Sequence, residues 1–409
     1  MYKRQNLYWE VRRGSKKKEQ IRDYLAARRE DSGIIYCATR KNVDELYLYL
    51  DSAGFSVGRY HAGMESPARK ESQEDFIYDR KRVMIATNAF GMGIDKSNVR
   101  FVLHFNMPQS LENYYQEAGR AGRDGEPASC ILFYSPQDVV IDRILLDSKV
   151  NGGEYTEEEW RVIREQDTAR LRRMEGYCTT TGCLRGYILR YFGEEAPERC
   201  ENCGNCREEW ETLDARDAAA EVIRCVGTSG QRFGRNRIIG ILMGENTEAV
   251  RQYHLEENLS YGTQKQLGRE RLGDVIRALL EQGYLRQTED RYALLRLTGR
   301  SGELLESEEP FRISFRKEEK PAAARKKGSA AALSAEGQGL FEKLRKVRME
   351  LARKRGIPPY MVASDKTLRD MCLRRPKSEA ELLEVNGMGE TKVARYGKAF
   401  LEAIRESAD

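Results

Sequence analysis

Between Gly33 and Ser135 short apolar runs alternate with helical stretches, and no other feature limits the fold as tightly. Ile34–Cys37, Val83–Ala86, Phe101–Phe105 and Ile131–Tyr134 read as strands, with a helical Asn42–Leu50 after the first. Strands separated by helices imply a parallel sheet. From Thr156 to Glu195 the period is helical, and a cysteine cluster follows at Cys200–Cys206. Asp214–Phe315 reads as helices and then a short two-stranded piece, Tyr284–Arg286 with Tyr292–Leu297, which is a winged-helix order. Between Phe315 and Ser334 there is a proline, charge and alanine, and no large apolar side chain before Leu333, the composition of a linker. Beyond it, Leu340, Phe341, Leu344, Val347 and Leu351 recur at helical spacing, and Ser378 with Glu381 forms a capping-box signature, so a small all-helical domain closes the chain. No internal repeat is visible.

At 409 residues, 40% hydrophobic and 33% charged, the chain has material for several cores under a heavily charged surface. No stretch approaches the roughly 20 apolar residues of a membrane helix, and the opening MYKRQNLYWE has no apolar signal-peptide core. A cytoplasmic protein without a membrane partner is therefore expected. The net charge of +5 is concentrated after residue 315, while the preceding residues are slightly acidic. That end suits a polyanion, or equally a solvated surface. Four of the nine cysteines cluster at metal-ligand spacing, which favours a reducing compartment.

The densest motif is QEAGRAGRDG, Gln116–Gly125, in which Arg120 and Arg123 stand three apart among glycines. Both can reach one polyphosphate, and a guanidinium fork suits the charge that gathers during phosphoryl transfer. The alternative is a surface turn with solvated arginines. Upstream, ATNAFGMGIDK, Ala86–Lys96, follows an apolar strand, at the end where open α/β sheets bind ligands. Thr87 and nearby amides can hold a nucleic-acid phosphate, and Asp95 can orient an arginine or communicate with a nucleotide. The alternative is a loop needed only for packing.

Together with IIYCATRKNVDELYLYL, the YHAG at Tyr60–Gly63 and NMPQSLENYYQEAGRAGRDG, these strings resemble motifs IV, V and VI of the RecQ helicases. The resemblance implies a RecA-like second motor lobe, with Arg120 and Arg123 facing ATP held by another lobe. It also implies nucleotide-side roles for Gly93, Asp95 and Gln116, and DNA-backbone contacts from His61 and Thr87. No G-x-x-x-x-G-K-[ST] and no DExH box occur. The nearest decoy, Gly387–Lys392, has the wrong spacing. The start YKRQNLYWEV resembles the opening of the second lobe, so ATP and Mg2+ are expected only with a first lobe that this sequence lacks. By itself the chain should not hydrolyse ATP.

Cys183 precedes Cys200-x-x-Cys203-x-x-Cys206, four soft thiolates of the number a tetrahedral structural zinc takes. Cys178 competes as fourth ligand on spacing alone. The run GCLRGYILRYFGE resembles the family's zinc segment, and that favours Cys183.

In the winged-helix segment, Arg232, Arg235 and Arg237 lie beside an apolar stripe and can neutralise phosphates. The tip Gln287–Arg291 is short and has no aromatic residue, so a long strand-splitting hairpin is not expected. The last domain resembles the helicase-and-RNase-D C-terminal (HRDC) module through GIPPYMVASDKTLRDM and NGMGETKVARYGKAFLEAI. There Tyr360 can stack on an unpaired base, with Lys392, Lys366 or Arg369 on phosphates. Tyr360 can equally cap the small core.

The expected architecture is multidomain. It comprises an α/β RecA-like lobe at 1–149, a helical zinc-binding subdomain at 150–212, a winged helix at 213–315, a linker at 316–333 and a helical HRDC domain at 334–409. The resemblance implies the C-terminal portion of an ATP-dependent 3'-5' DNA helicase of recombination and repair. Its partners would be single-stranded DNA, duplex junctions, the first motor lobe and a single-stranded-DNA-binding protein. The competing class is a non-catalytic DNA-binding protein built on a vestigial lobe.

Overall fold

The computed structural model describes residues 4–14, 16–91, 96–148, 155–208, 210–288, 293–316 and 335–407. The chain opens with β1 (Leu7–Arg13), α1 (Lys17–Ala26), β2 (Ser32–Tyr36), α2 (Arg40–Ser52), β3 (Val57–Tyr60), α3 (Ser66–Ile77), β4 (Val83–Ala86), β5 (Val99–His104), α4 (Leu111–Ala118) and β6 (Ala128–Tyr134). The six strands form one sheet in the order β1-β6-β5-β2-β4-β3, and every pairing is parallel. Successive side chains of a strand point to opposite faces. Accordingly Ile34, Met84, Val102 and Leu132 join one core, while Ile35, Ile85, Leu103 and Ile131 join a second on the other face. Burial on both sides explains why the central strands read as unbroken apolar runs. The Phe101 ring fills the space a side chain at Gly33 would need.

Four helices follow: α5 (Pro136–Asp147), α6 (Glu157–Thr179), α7 (Leu184–Tyr191) and α8 (Gly204–Arg207). Thr156 and Glu159 form a reciprocal capping box at the start of α6, and the far half of that helix sends Leu171, Met174 and Tyr177 into the first of the two cores. The sheet edge at β1 is covered rather than exposed. Arg185 donates to the Leu7 carbonyl at 2.6 Å, Asn202 donates to the Gln5 carbonyl at 3.2 Å, and Cys203 bridges Trp9. Such cover removes a template for unwanted strand pairing.

The described residues within 208–323 form a second compact unit. It contains β7 (Trp210–Asp214), α9 (Arg216–Thr228), α10 (Arg235–Met243), α11 (Glu248–Gln252), α12 (Gly268–Glu281), β8 (Leu285–Gln287), β9 (Leu295–Leu297), α13 (Ser301–Glu306) and β10 (Arg312–Arg316). Val222, Val226, Ile238, Leu242, Leu272 and Ile276 form its core, β8 pairs antiparallel with β9, and β7 with β10.

The chain ends in α14 (Ala335–Arg355), α15 (Pro359–Val362), α16 (Asp365–Arg374), α17 (Glu379–Leu383) and α18 (Glu390–Arg405), which belong to the first compact unit and surround a core of their own. Of the expected capping box one half forms: Ser378 accepts from the Glu381 amide at 3.3 Å, while the Glu381 carboxylate accepts from the Lys377 amide at 2.9 Å rather than from that of Ser378. Among the described residues no helix is long and apolar enough to cross a membrane. Most of the 316–333 segment and the tip residues 289–291 lie outside the described residues.

Candidate functional site

Helix α4 delivers the two arginines. Ser110 caps it by accepting from the Asn113 amide at 3.2 Å, and after Ala118 the backbone tightens into successive turns. Arg120 is half-buried, and its Nη1 donates to the Gly91 carbonyl at 2.5 Å. Gly91 has φ 131°, and the Arg120 guanidinium stands where a Cβ at that position would lie. Both its backbone and its missing side chain are thus required. The Arg120 Nε is buried without a partner among the described residues. Tyr36, ending β2, donates to the neighbouring Phe90 carbonyl at 3.1 Å, and burial pushes its phenol up against the nearby Arg120 charge. Arg123 and Gln116 are exposed. The loop is braced from behind, because the Arg100 Nη2 donates to both oxygens of Asp124 at 2.6 Å, a buried charge-assisted pair. Gly93 and Asp95 lie outside the described residues.

The two loops expected to meet DNA phosphates lie side by side at the C-terminal ends of β3 and β4, where the Thr87 amide donates to the Tyr60 carbonyl at 3.2 Å. Thr87 is partly exposed and Asn88 and Ala89 are exposed. His61 is only 7% exposed. Its Nε2 lies 3.3 Å from Asp44 and its Nδ1 accepts from the Gly63 amide at 3.2 Å, so its ring shapes the loop from inside.

The four sulfurs of Cys183, Cys200, Cys203 and Cys206 converge to within 4.8 Å of one another. Thiolates around a tetrahedral zinc, each about 2.3 Å from the metal, stand at comparable separations, so this donor set fits that ion. Cys183 caps α7, its sulfur accepting from the Gly186 amide at 3.2 Å, and such a position favours a thiolate. Cys178 is fully buried in the lobe's core and is not in the group. Asn205 donates to the Thr180 and Gly182 carbonyls at 2.8 Å, closing the knuckle.

In the second unit Arg232 is exposed, while the Arg235 guanidinium packs on Gly273 of α12. The Phe233 carbonyl accepts from the Leu295 amide at 3.0 Å, which sets the start of α10 beside β9. In the terminal domain Tyr360 and Lys392 are half-buried, and burial lowers the Lys392 ammonium pKa.

One group escaped the sequence reading. A cavity of about 110 Å³ at the C-terminal ends of β2 and β5 is lined by Tyr36, His104, Asn106, Gln109, Glu117 and Asp142, among others. His104 Nε2 lies 2.8 Å from Glu117, whereas His104 Nδ1 and Asp142 Oδ2 are buried without partners among the described residues. Burial first, and then the Asp138 charge, push the Asp142 carboxyl up to about 7. A histidine inside an apolar strand and an aspartate inside a helix carry no spacing signal that would have joined them.

Four family models match in succession. The helicase conserved C-terminal domain covers 16–125, the RecQ zinc-binding domain 136–207, the RQC domain 209–322 and the HRDC domain 337–404. The chain is 38% identical over 407 residues to the ATP-dependent DNA helicase RecQ of Bacillus subtilis, covering 100% of this chain and 65% of that protein. It is 36% identical to the protein of the same name from Haemophilus influenzae, covering 99% of this chain and 64% of that one. The chain thus spans somewhat less than two thirds of these relatives' length. By its parallel sheet, its cysteine cluster and the order of its four matched domains, the chain belongs to the RecQ helicase family, of which it represents a C-terminal portion.

Proposed function

We propose that this chain is the second motor lobe and the DNA-gripping part of an ATP-dependent 3'-5' DNA helicase acting in recombination and repair. The observation that carries the reading is the anchoring of Arg120 to Gly91, with Arg123 exposed on the same turn. A guanidinium fork aimed at a polyphosphate stabilises the charge gathered as a phosphoryl group leaves. Gly91 lies four residues from Thr87, on the loop at the end of β4. A nucleotide that draws on Arg120 therefore pulls on the segment assigned to the DNA backbone, which links hydrolysis to movement. ATP and Mg2+ would be held by a first lobe. Structural zinc on the four cysteines would fix α7 and α8 to β1. Arg232 and Arg235 in the second unit, and Tyr360 with Lys392 in the terminal domain, would grip duplex and single-stranded DNA. Cytoplasmic DNA coated with single-stranded-DNA-binding protein is the setting that fits.

The chain should be combined with a lobe carrying a phosphate-binding loop, and ATP hydrolysis measured with and without single-stranded DNA. Stimulation of at least about tenfold is expected. Tight DNA binding with no hydrolysis would leave the non-catalytic DNA-binding reading in its place.

A further inference from the structure

The terminal domain is seated on the lobe. Arg345 of α14 meets Glu30, between α1 and β2, with Nη1 3.0 Å from the carboxylate and Nη2 2.9 Å from the carbonyl. Tyr78, just after α3, donates to the Gly356 carbonyl at 3.4 Å. Glu30 precedes β2, whose Ser32 pairs with Val99 of β5, so the Arg345 contact lies at the end of the sheet where Arg100 stands. The terminal domain holds Arg348, its side chain 1% exposed, paired with Asp365 at 2.7 Å. The lobe holds Lys96, fully buried against Asp79, and the Arg100–Asp124 pair. Burial works against the Asp365 charge, but Arg348, Arg100 and Lys96 outweigh it and hold the carboxyl below its ordinary range.

Asp124 belongs to the arginine turn. The Gly122 amide in that turn donates to the Val99 carbonyl at 2.8 Å, next to Arg100, which also donates to the Ser97 carbonyl at 3.3 Å. The Arg100–Asp124 pair therefore ties the turn bearing Arg120 and Arg123 to the start of β5. Excluding water from such a pair strengthens it.

We propose that Asp365 is a positioning residue for the arginine turn: the docked terminal domain seals the Arg100–Asp124 brace and sets a carboxylate behind Arg100. Undocking admits water to the brace and loosens the turn. The consequence for hydrolysis rests on the motor reading above, whereas the docking and its effect on the turn do not.

Amide hydrogen exchange on the 409-residue chain separates these alternatives. Glu30 is exposed and belongs to neither core, and its carboxylate also meets Arg82 of the lobe at 3.2 Å, so Arg82→Ala serves as the control for loss of that second contact. Glu30→Arg and Arg345→Glu should each speed exchange of the Gly122 amide at least about fivefold while β2 and β5 are unchanged, and the double reversal should restore it. Asp365→Asn should speed the same amide, and because it also leaves Arg348 of α14 without its counter-charge, the Glu30 and Arg345 variants, which keep that pair, separate the effect on the turn from loosening of the terminal domain. Unchanged Gly122 exchange in these variants, a rise spread evenly over the lobe, or failure of the double reversal to restore protection would overturn the proposal. No readout uses ATP, so failure of the motor reading and failure of the docking remain distinguishable.

Discussion

Among individual side chains, the cysteines and Asp142 make opposite demands on their surroundings. Four convergent sulfurs lose their reason to converge if the ion that suits them is absent. Metal analysis should find about one zinc per chain. Cys203→Ser should lose it together with the protection of α7 and α8. A well-folded, metal-free protein would count against the assignment. Asp142 is held near pH 7, far above the 3.8 of an unfolded carboxyl. The unfolded chain sheds this proton near pH 4 while the folded chain keeps it to about 7, so the residue withdraws stability progressively across that window and by a constant amount above it. Asp142→Asn should therefore stabilise the protein by about 1–3 kcal/mol at pH 7.5 and by little at pH 4. Denaturant melts at both values would show it, and an equal effect at both would refute the cause given. Such groups leave little mark in sequence, because their character comes first from burial and only then from a neighbouring charge, here Asp138. The cysteines do leave one, because close spacing along the chain already brings ligands together.

In loops and strands the same division holds. The strands at Ile34, Val83, Phe101 and Ile131 were readable because burial on both faces makes them uniformly apolar. β1 and β3 were not, since LYWEVRR and VGRY carry charge at the sheet's edges, and only the pairing of Leu7–Arg13 with Ala128–Tyr134 reveals the first as a strand. The pairing of β7 with β10 joins segments about a hundred residues apart, where no local pattern operates. The stretch read as one helical region, Thr156–Glu195, is two helices that meet at Cys183, whose sulfur caps the second. Gly91 is where a loop's shape and an arginine's position coincide. Gly91→Ala would force a side chain into the Arg120 guanidinium at a φ that L residues avoid, costing about 1–3 kcal/mol. Combined with a competent first lobe, that variant should lose more turnover than DNA affinity. Parallel losses would show that the loop serves folding alone.

For the molecule as a whole, the order of modules was readable because each carries its own periodicity, ligand set or cap, and the four matched domains follow that order. The seating of the terminal domain on the lobe was not readable. It depends on Arg345 reaching Glu30, two ordinary surface residue types 315 positions apart. The central claim is that Arg120 and Arg123 act on a nucleotide while other residues hold DNA. It is tested most directly by measuring DNA-stimulated ATP turnover and single-stranded DNA affinity of Arg123→Ala, beside the unaltered sequence, with a phosphate-binding lobe supplied. The account predicts that turnover falls by about a hundredfold or more while affinity changes less than about threefold. Undiminished turnover would contradict it.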